Sequence, residues 1–263
     1  MEIFSQFLFR LALGLAVAMG LTPCRRVTAG FFRNHLYVLL GLNVAAVVVA
    51  LLNRGRFDLW LPAAGAAVSY VGAVCWLYER AAPGKLTLWL IAALDLGGAW
   101  ATAERHVMPG IALVDGASWQ APRLVELLHW SDPLTGGLVL GATLAAMLLG
   151  HWYLNAPGMQ LAPLRRLVAV MTLALLLRLL VCGAGLVLLY QAAGPPATSQ
   201  MLFLSLRWLA GLIGPLVLAW MTWQTLKIPN TQAATGILYV AVIGTFLGEL
   251  TSQLLSARLP FGL

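Results

Sequence analysis

Apolar runs of about twenty residues recur along the chain, separated by short polar breaks. At 1.5 Å rise per residue, roughly 20 apolar residues in a helix match the ~30 Å hydrocarbon core of a bilayer. Eight runs of this kind lie near residues 3–23, 31–52, 59–79, 85–103, 133–154, 164–191, 201–225 and 232–257. The breaks "TPCRR", "NRGR", "RAAPGK", "APGMQLAP", "AGPPATSQ" and "KIPN" concentrate proline, glycine and basic residues, which end helices. The pattern predicts an all-α, polytopic integral membrane protein: one helical-bundle domain over 1–263, with about eight transmembrane helices and short loops. No internal repeat stands out, which counts against an inverted-repeat transporter.

One segment departs from the rhythm. Residues 104–132 form a longer loop, in which "SWQAPRLVELLHW" predicts a short amphipathic helix. Leu124, Leu127 and Leu128 would form its apolar face, with Arg123, Glu126 and His129 at three-residue spacing on another. Trp119 and Trp130 bracket it, as indoles do at a membrane interface. The following "SDP" supplies a capping residue and a proline with which to start the fifth span. The segment reads as a helix lying on the membrane surface or as a lid over a site between the spans.

Composition narrows the class further. Of 263 residues, 61% are hydrophobic and 10% charged, whereas soluble domains carry about a quarter charged residues. The net charge of +7 does not point to nucleic acid, because the basic residues sit mainly in short loops and no binding arm or motif accompanies them. Their distribution sets orientation instead. Arg25, Arg26, Arg33, Arg80, Lys85, Arg165, Arg166 and Lys227 share one side with a single acid, Glu79. Arg54, Arg56, Arg105, Arg123 and Arg258 share the other with Glu2, Asp58, Glu104, Asp115, Glu126 and Asp132. The positive-inside rule makes the first side cytoplasmic and places both termini outside. Compact loops and the absence of a targeting segment favour a bacterial inner membrane, with termini in the periplasm. The N-terminal stretch lacks a basic region and reads as a retained first span. Cys24, Cys75 and Cys182 form no metal-binding spacing, and the last two read as small core residues.

Five ionisable side chains fall within the spans: Arg10, Asp95, Arg178, Arg207 and Glu249. Each costs about 2.5–3.5 kcal/mol at a helix centre and calls for a partner or a water-filled surface. Counting residues from the span ends places Asp95 and Arg178 near mid-depth, and Glu249, Arg10 and Arg207 in the outer third. The expected arrangement is two ion pairs: Asp95 with Arg178, and Glu249 with Arg10 or Arg207. Such pairs either fix helix register or serve proton transfer. Along the last span, Thr231, Thr235, Tyr239, Thr245, Glu249 and Ser252 fall near one stripe, which suits either a helix–helix seam or a polar path.

His35 and His151 lie near the cytoplasmic ends of their spans, with Tyr37, Trp152 and Tyr153 close by. These residues are candidates to flank a quinone headgroup, or are ordinary interfacial anchors. Haem b is disfavoured, since no span carries two histidines about 13 residues apart, the spacing that stacks two haems. No metal site is expected. Phosphate-binding loops, HExxH, GxSxG and thiolate runs are missing, so the chain has no self-contained catalytic motif. The leading expectation is a membrane subunit of a larger respiratory or electron-transfer complex, contacting quinone or assisting proton transfer. Its partners would be the bilayer and other subunits. A proton-coupled small-solute transporter or channel, and a structural or assembly subunit without activity of its own, are the alternatives.

Overall fold

The computed structural model describes residues 2–52, 59–113, 122–156, 158–195, 198–228, 230–256 and 262–263, with the side chains of 104–113, 122, 193 and 199 left out. The described residues are helical throughout, apart from short connections. The helices are α1 (Glu2–Leu21), α2 (Ala29–Leu52), α3 (Trp60–Leu77), α4 (Ala81–Leu113), α5 (Pro122–Asn155), α6 (Ala162–Ala193), α7 (Thr198–Trp208), α8 (Gly214–Lys227) and α9 (Thr231–Ser256). A five-residue π turn, Leu209–Ile213, joins α7 to α8. Among the described residues, eight helices are long and apolar enough to cross a membrane, counting α7, the π turn and α8 as one.

Leucine- and alanine-rich runs propagate these helices, and local chemistry starts and stops them. Pro163 sits in the first turn of α6, where its missing N–H is not needed. The turn from α3 to α4 closes with Arg80 N–H donating to the Cys75 carbonyl and Glu79 N–H to that of Trp76. Glu79 takes the left-handed conformation there, at φ 55°. Glycine usually holds that position.

Helix α1 is central. It packs against α5, α4 and α2, and 83% of its apolar window is buried, against 28% for the seventh span. Glycines allow the close approach to α5. A methyl group on Gly14 would fall 1.8 Å from the Gly137 carbonyl oxygen, and one on Gly141 would fall 1.8 Å from the Gly14 carbonyl carbon. Small residues at such a crossing bring backbones into van der Waals contact. Around this axis, α2, α3 and α4 form one flank, while α6, the α7–α8 helix and α9 form the other. Phe32 stacks on Trp76 at 4.2 Å to tie α2 to α3.

The region before the fifth span differs from the sequence expectation of a separate surface helix within 104–132. Helix α5 begins at Pro122 and runs through Pro133 to Asn155 without a break, and α4 continues to Leu113. The hydroxyl of Ser131 donates to the Leu128 carbonyl, that of Thr135 to the Ser131 carbonyl, and the indole of Trp100 to the Trp130 carbonyl. These bonds support the helix across the proline, which removes one N–H. Asp132 does not act as a cap, because its side chain is turned into the bundle. The buried face carries Val125 and Leu128, packed with Leu189, Leu204 and Leu263, while Leu124 and Leu127 are exposed. Arg123 and Glu126 are exposed as well, and Trp119 lies outside the described residues.

Candidate functional site

Five charged side chains from five helical segments meet inside the bundle: Arg10 (α1), Asp132 (α5), Arg178 (α6), Arg207 (α7) and Glu249 (α9). Arg178 is the hub. Its Nε donates to Glu249 Oε1 and its Nη2 to Glu249 Oε2, both at 3.0 Å, so the guanidinium grips the carboxylate by two parallel bonds. Its Nη1 donates to Asp132 Oδ1 at 2.6 Å and to Thr135 Oγ1 at 3.2 Å, and Nη2 also reaches Ser252 Oγ at 3.2 Å. Arg207 Nη2 donates to Glu249 Oε1 at 2.7 Å, and Arg10 Nη2 to Asp132 Oδ2 at 2.5 Å. Charges therefore alternate: Arg10, Asp132, Arg178, Glu249, Arg207.

The array is buried. Arg178, Arg207 and Glu249 are 0% exposed. Buried charges are tolerated when each is paired and its remaining hydrogen-bonding groups are met. Glycines make the space: a methyl on Gly136 would sit 2.7 Å from Glu249 Oε2 and 3.1 Å from Arg10 Nη1. Gly211 of the π turn and Gly248 of α9 approach so closely that a methyl on Gly248 would lie 2.2 Å from the Gly211 Cα. The π turn itself has a local cause, since Gly214 N–H donates back to the Leu209 carbonyl just before Pro215 interrupts the ladder. Residues Gly262–Leu263 cover one side, where the Leu263 main-chain oxygen accepts from Arg207 Nε at 3.0 Å. Three side-chain cations face two side-chain anions, and among the described residues Arg10 Nε, Arg10 Nη1 and Arg207 Nη1 have no hydrogen-bond partner.

Of the two pairs expected from depth, Glu249 with Arg207 forms and Asp95 with Arg178 does not. Arg178 holds Glu249 and Asp132, not Asp95. The missed member is Asp132, whose position before a proline made it look like a helix cap. Asp95 lies elsewhere, between α2 and α4, and is 0% exposed. Among the described residues its one hydrogen-bond partner is Asn43 of α2, whose Nδ2 reaches Asp95 Oδ2 at 3.5 Å and also donates to the Leu39 carbonyl at 3.2 Å. Asp95 Oδ1 and Asn43 Oδ1 are unpartnered among the described residues. Gly65 of α3 leaves room for the amide, because a methyl there would fall 2.3 Å from Asn43 Oδ1. Among the described residues, Asp95 is the one buried acid without an ion pair. Asn43, a lone amide inside an apolar run, was a usable signal in the sequence.

The stripe along α9 divides in two. Thr235 bonds back to the Thr231 carbonyl and packs at Gly150, and Thr245 bonds back to the Val242 carbonyl, so this part is a helix seam. Only Glu249 and Ser252 reach the charge cluster. The two histidines have different neighbours. His35 lies beside Phe31 and Trp152, with ring centroids 4.2 and 6.5 Å away, while His151 Nδ1 is 3.3 Å from the Tyr239 hydroxyl. Tyr153 donates to the Gln160 carbonyl, and Tyr37 is 48% exposed and apart from these contacts. No group of His, Cys, Asp and Glu suited to a metal ion occurs among the described residues.

Fold and site together define an all-helical chain with eight helices fit to cross a membrane, built around an arginine–carboxylate cluster and a separate unpaired carboxyl. No protein-family model matches the chain, and no curated protein or solved structure matches it either.

Proposed function

We propose that the chain is a multi-pass protein of a bacterial inner membrane, both termini periplasmic, and a membrane subunit of a larger respiratory or electron-transfer complex. In this reading Asp95 exchanges protons, and the arginine–carboxylate cluster is the fixed frame around which the helices are held. The observation that carries it is the contrast in partners. Asp132 and Glu249 are each held by two guanidinium groups, whereas Asp95 faces only an amide. A carboxyl that no cation holds in its charged form gains or loses a proton as its surroundings change, and intramembrane acids of this kind mark proton paths. A quinone headgroup has aromatic and imidazole neighbours available at His35–Trp152 and at His151–Tyr239.

The test uses the assembly purified in mild detergent. Mass spectrometry of the co-purifying chains should find redox subunits, and Asp95→Asn should lower proton uptake per turnover at least tenfold with subunit composition unchanged. Wild-type proton uptake in that variant removes Asp95 from the path, and a chain that purifies alone removes the complex. A second reading, a proton-coupled carrier of a small anionic solute, is favoured by the unpartnered N–H groups of Arg10 and Arg207. It predicts anion uptake into proteoliposomes driven by a pH gradient and abolished by Asp95→Asn.

A further inference from the structure

At the end of the bundle where the connections 22–28, 78–80 and 156–161 lie, a cavity of about 520 Å³ opens between the end of α1 and the starts of α4 and α6. Its wall contains Arg25 and Arg26 from the α1–α2 connection, Lys85 from α4 and Arg166 from α6. No acidic side chain lines it, and none of the four cations forms an ion pair among the described residues. Lys85 is aimed by a bond from Nζ to the Gly20 carbonyl, at 3.1 Å, which leaves its other two N–H donors available. Leu21 and Ala162 contribute apolar wall beside the charges.

A basic end face follows from the positive-inside rule, but convergence does not. The adjacent pair Arg165 and Arg166 divides its work: Arg165 donates to the Leu226 carbonyl at the end of α8, while Arg166 turns to the cavity. Arg80 and Lys227, equally basic and on the same end, stay outside it. Four like charges around one concavity repel each other, and an anion among them removes that repulsion. The size suits a phosphorylated headgroup, and basic pockets between helices at a membrane surface bind acidic headgroups.

We infer that this cavity binds a phosphate-bearing anionic group, through Arg25, Arg26, Lys85 and Arg166. The source is either an acidic phospholipid or a soluble phosphate compound, and two arms separate them. In the first, the full chain is placed in nanodiscs of phosphatidylcholine with or without phosphatidylglycerol, and retained lipid is counted by native mass spectrometry. In the second, inorganic phosphate is titrated into pure phosphatidylcholine nanodiscs and thermal stability is followed. Wild type should retain phosphatidylglycerol, or be stabilised by phosphate, and Arg26→Gln/Arg166→Gln should weaken the effect about thirtyfold. The matched variant Arg80→Gln/Lys227→Gln removes the same charge from the same end and should change it by less than threefold. Loss of retention in the first arm identifies a lipid, and loss in the second a soluble phosphate. Equal weakening by both double variants, or no binding in either arm, overturns the inference.

Discussion

Two buried carboxyl sites in this molecule solve the same problem in opposite ways. Glu249 and Asp132 lie among three guanidinium groups, with bonds of 2.6–3.0 Å. Asp95 is as deeply buried as Glu249, yet its hydrogen-bond partner among the described residues is one amide, that of Asn43. The first arrangement converts the expense of burying charge into cross-links between five helical segments. The second leaves a carboxyl that, among the described residues, no cation partners. Burial alone therefore does not define an acid's role; the sign and geometry of what surrounds it do.

The comparison is open to direct attack. Arg178→Ala strips the hub from both acids and should destabilise the fold by about 3–5 kcal/mol, the range for breaking a buried pair. Reversible unfolding in mixed micelles measures it, and a loss under 1 kcal/mol would break the picture of a cross-linked frame. Glu249→Gln keeps shape but leaves Arg178 and Arg207 without their shared anion, so a loss of about 3 kcal/mol is expected in the same assay. Gly136→Ala tests the space around the charges without touching one. The added methyl meets Glu249 Oε2, and about 1–3 kcal/mol should be lost. Asp95→Asn is the sharpest contrast with Glu249→Gln, since both replace a buried acid by its amide. Asp95 has no ion pair to lose, so stability should change by less than about 1 kcal/mol. Similar losses for the two amides would erase the distinction between them.

Much of the fold was legible because length and apolarity dictate where a spanning helix runs. The runs near 31–52, 164–191 and 232–257 correspond to Ala29–Leu52, Ala162–Ala193 and Thr231–Ser256. The miss at 104–132 has a local origin. Ser-Asp-Pro is a common way to begin a helix, and nothing in the local sequence reveals that Asp132 faces Arg10 and Arg178, which lie 122 and 46 positions away. Glu249 does meet Arg207, but the expected pair of Asp95 with Arg178 does not form, for a related reason. Counting residues gives a charge's depth along its helix but not which helix it faces. Arg178 on α6 sits against α5, whereas Asp95 on α4 sits on the flank with α2 and α3. The four cavity cations were likewise visible as loop charges, but their meeting in one concavity depends on the tertiary arrangement.

The glycine-lined crossing of α1 and α5 also sets a schedule. A ribosome adds about 5–20 residues per second, so the 122 positions between Arg10 and Asp132 correspond to a wait of roughly 6–24 s. Throughout it, the most enclosed helix of the bundle carries an arginine whose acid has yet to be synthesised. Glu249 arrives later still, 71 positions after Arg178. The cluster therefore closes only once α9 docks, and a complete charge array requires α1, α5, α6, α7 and α9 to be together.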